Sequence, residues 1–219
     1  SKIAVEALNG IMALPAERDV NQSKVVPDRC MARLETDAVS FGYDQSPAVS
    51  FPALRFNSGQ KMAILGAVGS GKSTLLKILA GLNAPNEGRV RLDDYDLQIL
   101  AEDFVREQIS YLPQDVKLFS GTLRDNLALG LPMVKESELN QACHLTGLSR
   151  VIAGHPMGLN LTIFEGGQGL STGQRQLVGI TRLLLAKPKI ILLDEPTSAL
   201  DQLLERHLLE VIFEQLSSA

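Results

Sequence analysis

The feature that most constrains this chain is the eight-residue loop Gly-Ala-Val-Gly-Ser-Gly-Lys-Ser at residues 66–73. An apolar run at residues 62–65 precedes the loop, and a helical pattern at residues 73–80 follows it. This order of strand, loop and helix is typical of a phosphate-binding loop, in which glycines let backbone N–H groups point at an anion near a helix N-terminus. The lesser interpretation is a glycine-rich turn that only caps a helix.

The loop predicts which residues contact a nucleotide. We expect Lys72 to reach the β- and γ-phosphates and the Ser73 hydroxyl to bind Mg²⁺. The residues predicted to bind the phosphates are Gly66, Ala67, Val68, Gly69, Ser70, Gly71, Lys72, Ser73 and Thr74.

Composition excludes several other classes of protein. The chain has 219 residues, is 45% apolar and carries a net charge of −4, which offers no basic field for nucleic acid. Cys30 and Cys143 are too few for a disulfide framework or a zinc site. No apolar stretch approaches the roughly 18 residues that a membrane-spanning helix needs. We therefore expect this part to be globular and soluble by itself, and the order of its predicted strands and helices indicates an α/β protein.

Local patterns outline the organisation. An apolar face at residues 3–14 predicts a helix, and the polar residues 17–29 indicate a linker. Short strands are predicted at residues 39–43, 89–92 and 109–112. The pattern then becomes mostly helical from residue 120 to residue 186. The candidate N-caps of these helices are Ser137 and Ser171.

A second element typical of nucleotide sites lies downstream. Four apolar residues at 190–193 precede Asp194 and Glu195, which describes a buried parallel strand that delivers carboxylates to its C-terminal edge. We predict that Asp194 holds Mg²⁺ and that Glu195 orients or deprotonates the attacking water. Taken alone, this segment is equally consistent with a buried strand before a solvated turn. The phosphate-binding loop elsewhere in the chain favours the catalytic interpretation.

Between these elements, Ser171 and Gln174 form a capping box at the start of a helix that Pro188 ends. The predicted buried face of this helix consists of Leu177, Ile180, Leu183 and Leu184. Its N-terminus is a second candidate anion site, although a plain helix start explains the capping box equally well.

Together, from about residue 34 onwards, these motifs resemble the nucleotide-binding domains of ATP-binding cassette (ABC) proteins. The resemblance implies a P-loop NTPase fold with an antiparallel β subdomain, ATP and Mg²⁺ as cofactors, and ATP hydrolysis as the activity. It implies a RecA-like core at about residues 31–114 and 187–219, and a helical signature subdomain at about residues 115–186.

The resemblance also assigns roles to single residues. Tyr43 resembles the aromatic residue that stacks on adenine, although an ordinary aromatic residue on a strand face stays open. The implied catalytic residues are Lys72, Gln114 and Glu195, and the implied metal ligands are Ser73, Gln114 and Asp194. The implied nucleotide contacts outside the phosphate-binding loop are Tyr43, Ser171, Gly173, Gln174 and Asp201.

Family members pair head to tail around ATP, so the implied partner is a second copy of this domain. Residues 114–126 and 162–167 resemble exporters whose membrane and ATPase parts share one chain. Residues 7–18 are similar to the stretch that joins the last transmembrane helix to the ATPase in bacterial type I secretion exporters. We therefore expect residues 1–30 to be a linker from a transmembrane domain of the same polypeptide, and residues 31–219 to be the ABC domain.

The expected function is that of an ATP-driven motor at the cytoplasmic face of the bacterial inner membrane, exporting a polypeptide by type I secretion. A periplasmic adaptor and an outer-membrane channel are then further expected partners. The alternatives are a lipid or drug exporter ATPase and a catalytically weak regulatory or interaction module.

Three features depart from the family pattern. Residues 171–174 resemble the family's signature loop, in which Thr172 occupies a position that is usually glycine, and Phe164 replaces a small residue in the preceding loop. The sequence stops at Ala219, before the position where the family's switch histidine is expected, and His207 falls too early to serve. We therefore predict a C-terminal truncation.

Overall fold

The structure, a computed structural model, describes residues 24–42, 48–131 and 133–215. The predicted N-terminal helix at residues 3–14 and the predicted adenine-stacking residue Tyr43 lie outside the described residues.

The described residues form ten short strands and seven α-helices. The strands are β1 Leu34–Thr36, β2 Val39–Phe41, β3 Val49–Phe51, β4 Leu54–Phe56, β5 Val90–Leu92, β6 Tyr95–Asp96, β7 Ile109–Leu112, β8 Gly121–Thr122, β9 Thr162–Ile163 and β10 Ile190–Leu193. The α-helices are α1 Lys72–Leu79, α2 Glu102–Gln108, α3 Leu123–Leu127, α4 Glu136–Leu145, α5 Leu148–Ala153, α6 Thr172–Ala186 and α7 Gln202–Gln215.

An antiparallel sheet forms one part of the fold, with the strand order β4-β1-β5-β6. Leu34 on the central strand β1 lies opposite Phe56 on β4 and Leu92 on β5. One hydrophobic core joins this sheet to the buried face of α1, where Ile78 and Leu79 are almost fully enclosed. Strands β2 and β3 form a separate antiparallel pair.

A parallel pair, β7 and β10, organises the other part. Both strands were predicted from the sequence, and the structure pairs them, with Ile109 opposite Ile190 and Leu112 opposite Leu193. Parallel neighbours need a long crossover, which the helical region between them provides. Their carboxyl ends therefore meet at the same edge of the sheet.

Helix α6 is the central helix of the second core. The four residues of its predicted buried face, Leu177, Ile180, Leu183 and Leu184, are all buried. The helix passes so close to the end of β7 that a Cβ atom at Gly179 would lie 2.7 Å from side-chain atoms of Leu112 and Val116. This contact fixes α6 against the strand that leads to Gln114.

The prediction of a strand at residues 62–65 is wrong. These residues form no strand, and Leu65 is 91% exposed. A cavity separates this segment from β10 and is lined by both, so the segment makes no ladder of hydrogen bonds with that strand. Apolar composition favours a strand here, but only a paired neighbour stabilises one.

Ser137 is not an N-cap. Helix α4 begins at Glu136, and Lys135 occupies the capping position without a side-chain hydrogen bond. Acidic Glu136 and Glu138 in the first turn favour a helix N-terminus through the helix dipole. Glu136 also binds the Arg124 guanidinium through both oxygens, at 2.6 and 2.9 Å. This pairing favours a start one residue before the serine.

No helix in the described ranges is both long enough and apolar enough to cross a membrane.

Candidate nucleotide site

The phosphate-binding loop leads directly into α1. Gly71 caps this helix with a φ of 87°, a left-handed conformation that favours glycine. A Cβ atom at Gly71 would lie 3.1 Å from Cζ of Phe51, so packing also favours glycine. The Lys72 ammonium donates to the carbonyl oxygens of Gly66 and Ala67, at 2.9 and 3.0 Å. The loop is thus folded back over the lysine that is predicted to bind phosphate.

Asp194 immediately follows β10 and is only 8% exposed. The Tyr111 hydroxyl, on the neighbouring strand β7, donates to Asp194 Oδ2 at 3.0 Å. The Asp194 backbone N–H donates to the Leu112 carbonyl at 2.9 Å. Tyr111 therefore orients the carboxylate. Sequence reasoning missed it, because the two residues are 83 positions apart and no local pattern connects them.

Glu195 and Gln114 meet at the carboxyl edge of the parallel strands. The Gln114 side-chain amide donates to Glu195 Oε2 at 2.8 Å. Glu195 has a φ of 46°, which is uncommon for a residue other than glycine and indicates a constrained turn after β10. Strained backbone of this kind occurs often at functional sites. Two predicted catalytic residues are therefore in direct contact.

A cavity of about 610 Å³ brings together the predicted core of the site, with Lys72, Asp194 and Glu195 among its lining residues. Gln114 joins them through its hydrogen bond to Glu195. Apolar walls come from residues 62–64 and from β10. Two more residues from the prediction, Ser73 and Thr74, lie in the first turn of α1.

The donor set suits Mg²⁺ that arrives with a nucleotide. Among the described residues, no cluster of three or more His, Cys, Asp or Glu side chains could hold a metal by itself. Mg²⁺ is usually bound through one or two carboxylates together with substrate phosphates. Asp194 supplies a buried carboxylate, and Ser73 supplies a hydroxyl at the start of α1. These residues fit an ion shared with a polyphosphate.

The signature residues lie at the N-terminus of α6. The predicted capping box is present: the Gln174 N–H donates to Ser171 Oγ at 3.2 Å, and the Ser171 N–H donates to Gln174 Oε1 at 2.9 Å. Ser171, Gly173 and Gln174 are not among the described residues that line the cavity. The described residues of the signature therefore lie outside the cavity that Lys72 lines.

Asp201 caps α7. Its Oδ1 accepts the backbone N–H groups of Leu203 and Leu204, at 3.1 and 3.0 Å. The loop before Asp201 contacts α6 through Gln176, a buried amide that sequence analysis did not single out. No local sequence pattern predicts this contact, because Ser198, the partner of Gln176, lies 22 residues further along the chain.

A second unpredicted connection joins α6 to the segment after Gln114. The Arg182 guanidinium donates to the carbonyl of Asn126 at 2.6 Å, to Asn126 Oδ1 at 2.9 Å and to the carbonyl of Lys117 at 3.1 Å. Burial lowers the pKa of Arg182 from its ordinary value. Asn126 also donates to the carbonyls of Phe119 and Thr122. Together these bonds fix the segment from residue 117 to residue 122 on α6.

Comparison with known proteins identifies the family. The model of the ABC transporter family matches residues 51–198. The chain is 38% identical over 201 residues to an uncharacterised ABC transporter ATP-binding protein of Bacillus subtilis, covering 91% of this chain and 35% of the relative. It is 36% identical over 217 residues to a lactococcin-G-processing and transport ATP-binding protein of Lactococcus lactis, covering 97% and 30%.

A colicin V secretion/processing ATP-binding protein of Escherichia coli is 38% identical over 180 residues, covering 81% of this chain and 26% of the relative. The chain thus spans about a third or less of the length of these relatives. The structure of a bacterial Atm1-family ABC exporter with ATP bound matches with a TM-score of 0.85 and 30% identity, covering 99% of this chain and 38% of the exporter chain. The predicted P-loop NTPase fold of the ABC type is confirmed.

Proposed function

This chain belongs to the ABC transporter family, and on that premise we propose that it is the ATP-hydrolysing motor domain of a bacterial exporter. One observation carries the proposal: Gln114 is hydrogen-bonded to Glu195 beside a cavity that Lys72 and Asp194 also line. The cavity is thus lined by a cation that can bind phosphate, a carboxylate that can bind Mg²⁺ and a second carboxylate that can orient water.

We assign the chemistry as follows. Lys72 and the backbone of the phosphate-binding loop bind the polyphosphate, and Asp194, Ser73 and Gln114 would hold Mg²⁺, which would neutralise phosphate charge. Glu195 orients the attacking water, and Gln114 holds the Glu195 carboxylate in place through the 2.8 Å hydrogen bond. Tyr111 positions Asp194 by donating to its Oδ2. Tyr43 remains the proposed residue for stacking on adenine.

The proposed working unit is a head-to-tail pair. Residues Ser171, Gly173 and Gln174 do not line the cavity that contains Lys72. A second copy supplies these groups if its α6 N-terminus faces the bound nucleotide, because a helix N-terminus attracts anions. ATP then stabilises the closed pair, and its hydrolysis releases the pair.

We propose a polypeptide as the exported cargo. The lactococcin-G and colicin V proteins named above support type I secretion, as does the resemblance of residues 7–18 to the linker of such exporters. In this proposal residues 1–30 connect to a transmembrane domain, and residues 31–219 work at the cytoplasmic face of the inner membrane. A periplasmic adaptor and an outer-membrane channel would complete the pathway. The proposed RecA-like core comprises about residues 31–114 and 187–219.

An ATPase assay on the full-length, membrane-embedded transporter tests the motor function. We expect Mg²⁺-dependent hydrolysis, a loss of roughly 100-fold or more for Glu195→Gln, and a comparable loss for Lys72→Ala, since both act in the chemical step. Lys72→Ala should also weaken ATP binding, whereas Glu195→Gln should preserve it. Equal hydrolysis by the unmodified and the Lys72→Ala proteins would contradict the proposal.

One observation favours a second candidate, a catalytically weak regulatory module. Thr172 places a side chain at the first, exposed position of α6, where the family pattern has glycine. For this alternative, ATP binding without measurable hydrolysis is the expected result of the same assay.

A further inference from the structure

The loop between Glu195 and Asp201 is held firmly against α7. The Ser198 N–H donates to the Glu195 carbonyl at 3.3 Å, and the Leu200 N–H donates to the Thr197 carbonyl at 3.0 Å. The buried Thr197 hydroxyl donates to Glu205 Oε1 on α7 at 2.8 Å. Two overlapping turns and the Asp201 cap therefore leave this loop little freedom, so a displacement at its middle is transmitted to its ends.

Gln176 connects the middle of this loop to α6. Its side-chain amide donates to Ser198 Oγ at 3.2 Å, and its Oε1 accepts the Ala199 backbone N–H at 3.2 Å. The residue is only 2% exposed. Both ends of the amide thus bind the loop between Glu195 and Asp201, away from solvent.

Close packing of the first turn of α6 supports the same connection. A Cβ atom at Gly173 would lie 3.1 Å from the Ala199 carbonyl oxygen and 3.2 Å from Leu200 Cδ2. The helix and the loop therefore meet with no room for a side chain between them. Gln176 lies about one turn further along the same helix, so the two contacts together fix the position and the orientation of the loop relative to α6.

The burial of Gln176 needs an explanation beyond packing. Its neighbours on α6, Leu177 and Val178, are buried apolar residues, and an apolar side chain would fill the position without a polar group to satisfy. A buried amide is tolerated when its hydrogen bonds are made, and it then specifies one geometry. The geometry that this amide specifies is that of the loop after Glu195.

We propose that Gln176 is a positioning residue that couples the signature end of α6 to Glu195 and Asp201. This inference rests on the proposed function, because in a head-to-tail pair the N-terminus of α6 contacts the nucleotide of the other copy. Closure of α6 on that nucleotide is then transmitted through Gln176 to the catalytic carboxylate of its own site. The two ATP sites of the pair are linked inside each copy.

The test compares ATP hydrolysis by variants of the full-length transporter. Gln176→Met keeps the length of the side chain and removes both hydrogen bonds; Ser198→Ala removes only one, from an exposed residue. We expect Gln176→Met to lower kcat roughly tenfold with KM for ATP changed less than about twofold, because misplacement of a catalytic group affects the chemical step. Ser198→Ala should cause a smaller loss with the same pattern.

Thr181→Val is the matched control. Thr181 is a buried polar residue on the same helix, but its hydroxyl contacts Thr146 and the Leu177 carbonyl, not the loop. The Thr181→Val variant should have a lower unfolding midpoint and an unchanged kcat. If kcat falls in proportion to stability in both Gln176→Met and Thr181→Val, the role is only structural and the inference is overturned.

Two further results separate this inference from the proposed function. Normal kcat in Gln176→Met and in Ser198→Ala, with normal hydrolysis by the unmodified transporter, would overturn the inference alone. Absence of hydrolysis in the unmodified transporter would overturn the proposed function and the inference with it.

Discussion

Thr172 shows how one residue can modify the signature without removing it. Its Oγ1 accepts a hydrogen bond from Arg175 Nη2 at 3.1 Å, and Arg175 also donates to the Leu170 carbonyl at 3.0 Å. The hydroxyl is thus held towards its own chain, whereas the methyl group still adds bulk at an exposed helix N-terminus. In the proposed pair, this side chain occupies space that glycine would leave for the phosphate bound by the other copy.

We therefore predict that Thr172→Gly raises the ATPase rate of the full-length transporter. Relief of a contact of about 1 kcal/mol corresponds to roughly a fivefold increase. Thr172→Val keeps the bulk and loses the hydrogen bond, so it should not raise the rate. Steady-state hydrolysis measures both variants, and an unchanged rate for Thr172→Gly would show that the side chain is tolerated.

Gly71 is a second residue whose substitution has a defined effect. In Gly71→Ala the left-handed backbone costs about 1–2 kcal/mol, and the new methyl group contacts Phe51. We expect a lower free energy of unfolding in urea and at least roughly tenfold weaker ATP binding, since about 1.4 kcal/mol at the site suffices.

Gly130→Ala controls for backbone strain. Gly130 has a φ of 76°, and no atom lies within 4 Å of an added Cβ. The Gly130→Ala variant should have a lower free energy of unfolding because of backbone strain alone, and it should bind ATP normally. Equal ATP affinity in the Gly71→Ala and Gly130→Ala variants would contradict a role for Gly71 in the phosphate-binding loop.

At the scale of elements, the sequence predicts those helix ends and strands that contacts between residues close along the chain determine. The capping box of Ser171 and Gln174 was correctly predicted, because both partners lie within one turn of α6. Ser137 was wrongly predicted as a cap, because the acidic first turn and Arg124, 12 residues away from Glu136, favour another start. The strand at residues 62–65 failed for a related reason, since pairing with β10 depends on tertiary structure.

Long-range side-chain contacts could not be predicted from the sequence, because sequence patterns connect only residues that are close along the chain. Asp194 and Glu195 were expected at a sheet edge, but the hydroxyl of Tyr111 that holds Asp194 belongs to another strand. Gln176 lies two residues after Gln174, yet no local sequence pattern predicts its contact with the loop before Asp201. Arg182 was missed because its acceptors are backbone and amide oxygens instead of a carboxylate.

Arg182 should stabilise the junction between α6 and the segment after Gln114. Arg182→Met would leave the carbonyl oxygens of Asn126 and Lys117 without their donor, at a cost of about 1–3 kcal/mol. Urea unfolding of the chain measures this loss. Arg206→Met, at an exposed position on α7, is the control and should change stability by less than about 0.5 kcal/mol. Equal unfolding free energies for the two variants would contradict this assignment.

At the scale of the whole molecule, the fold separates two groups of predicted site residues. The parallel strands deliver Asp194 and Glu195 to the cavity that Lys72 lines and place Gln114 in contact with Glu195, whereas α6 presents Ser171 outside that cavity. In the proposed pair another copy completes the site, and the loop from Glu195 to Asp201 then connects the two groups within each copy. We therefore expect ATP to hold two copies together.

The most direct test is the mass of the Glu195→Gln chain in solution, measured by gel filtration with light scattering, with and without ATP and Mg²⁺. Slow hydrolysis should preserve the closed state, so we predict a dimer with ATP and a monomer without it. Adding Lys72→Ala to this variant should abolish the dimer. A monomer at saturating ATP, with nucleotide binding shown independently, would contradict the account.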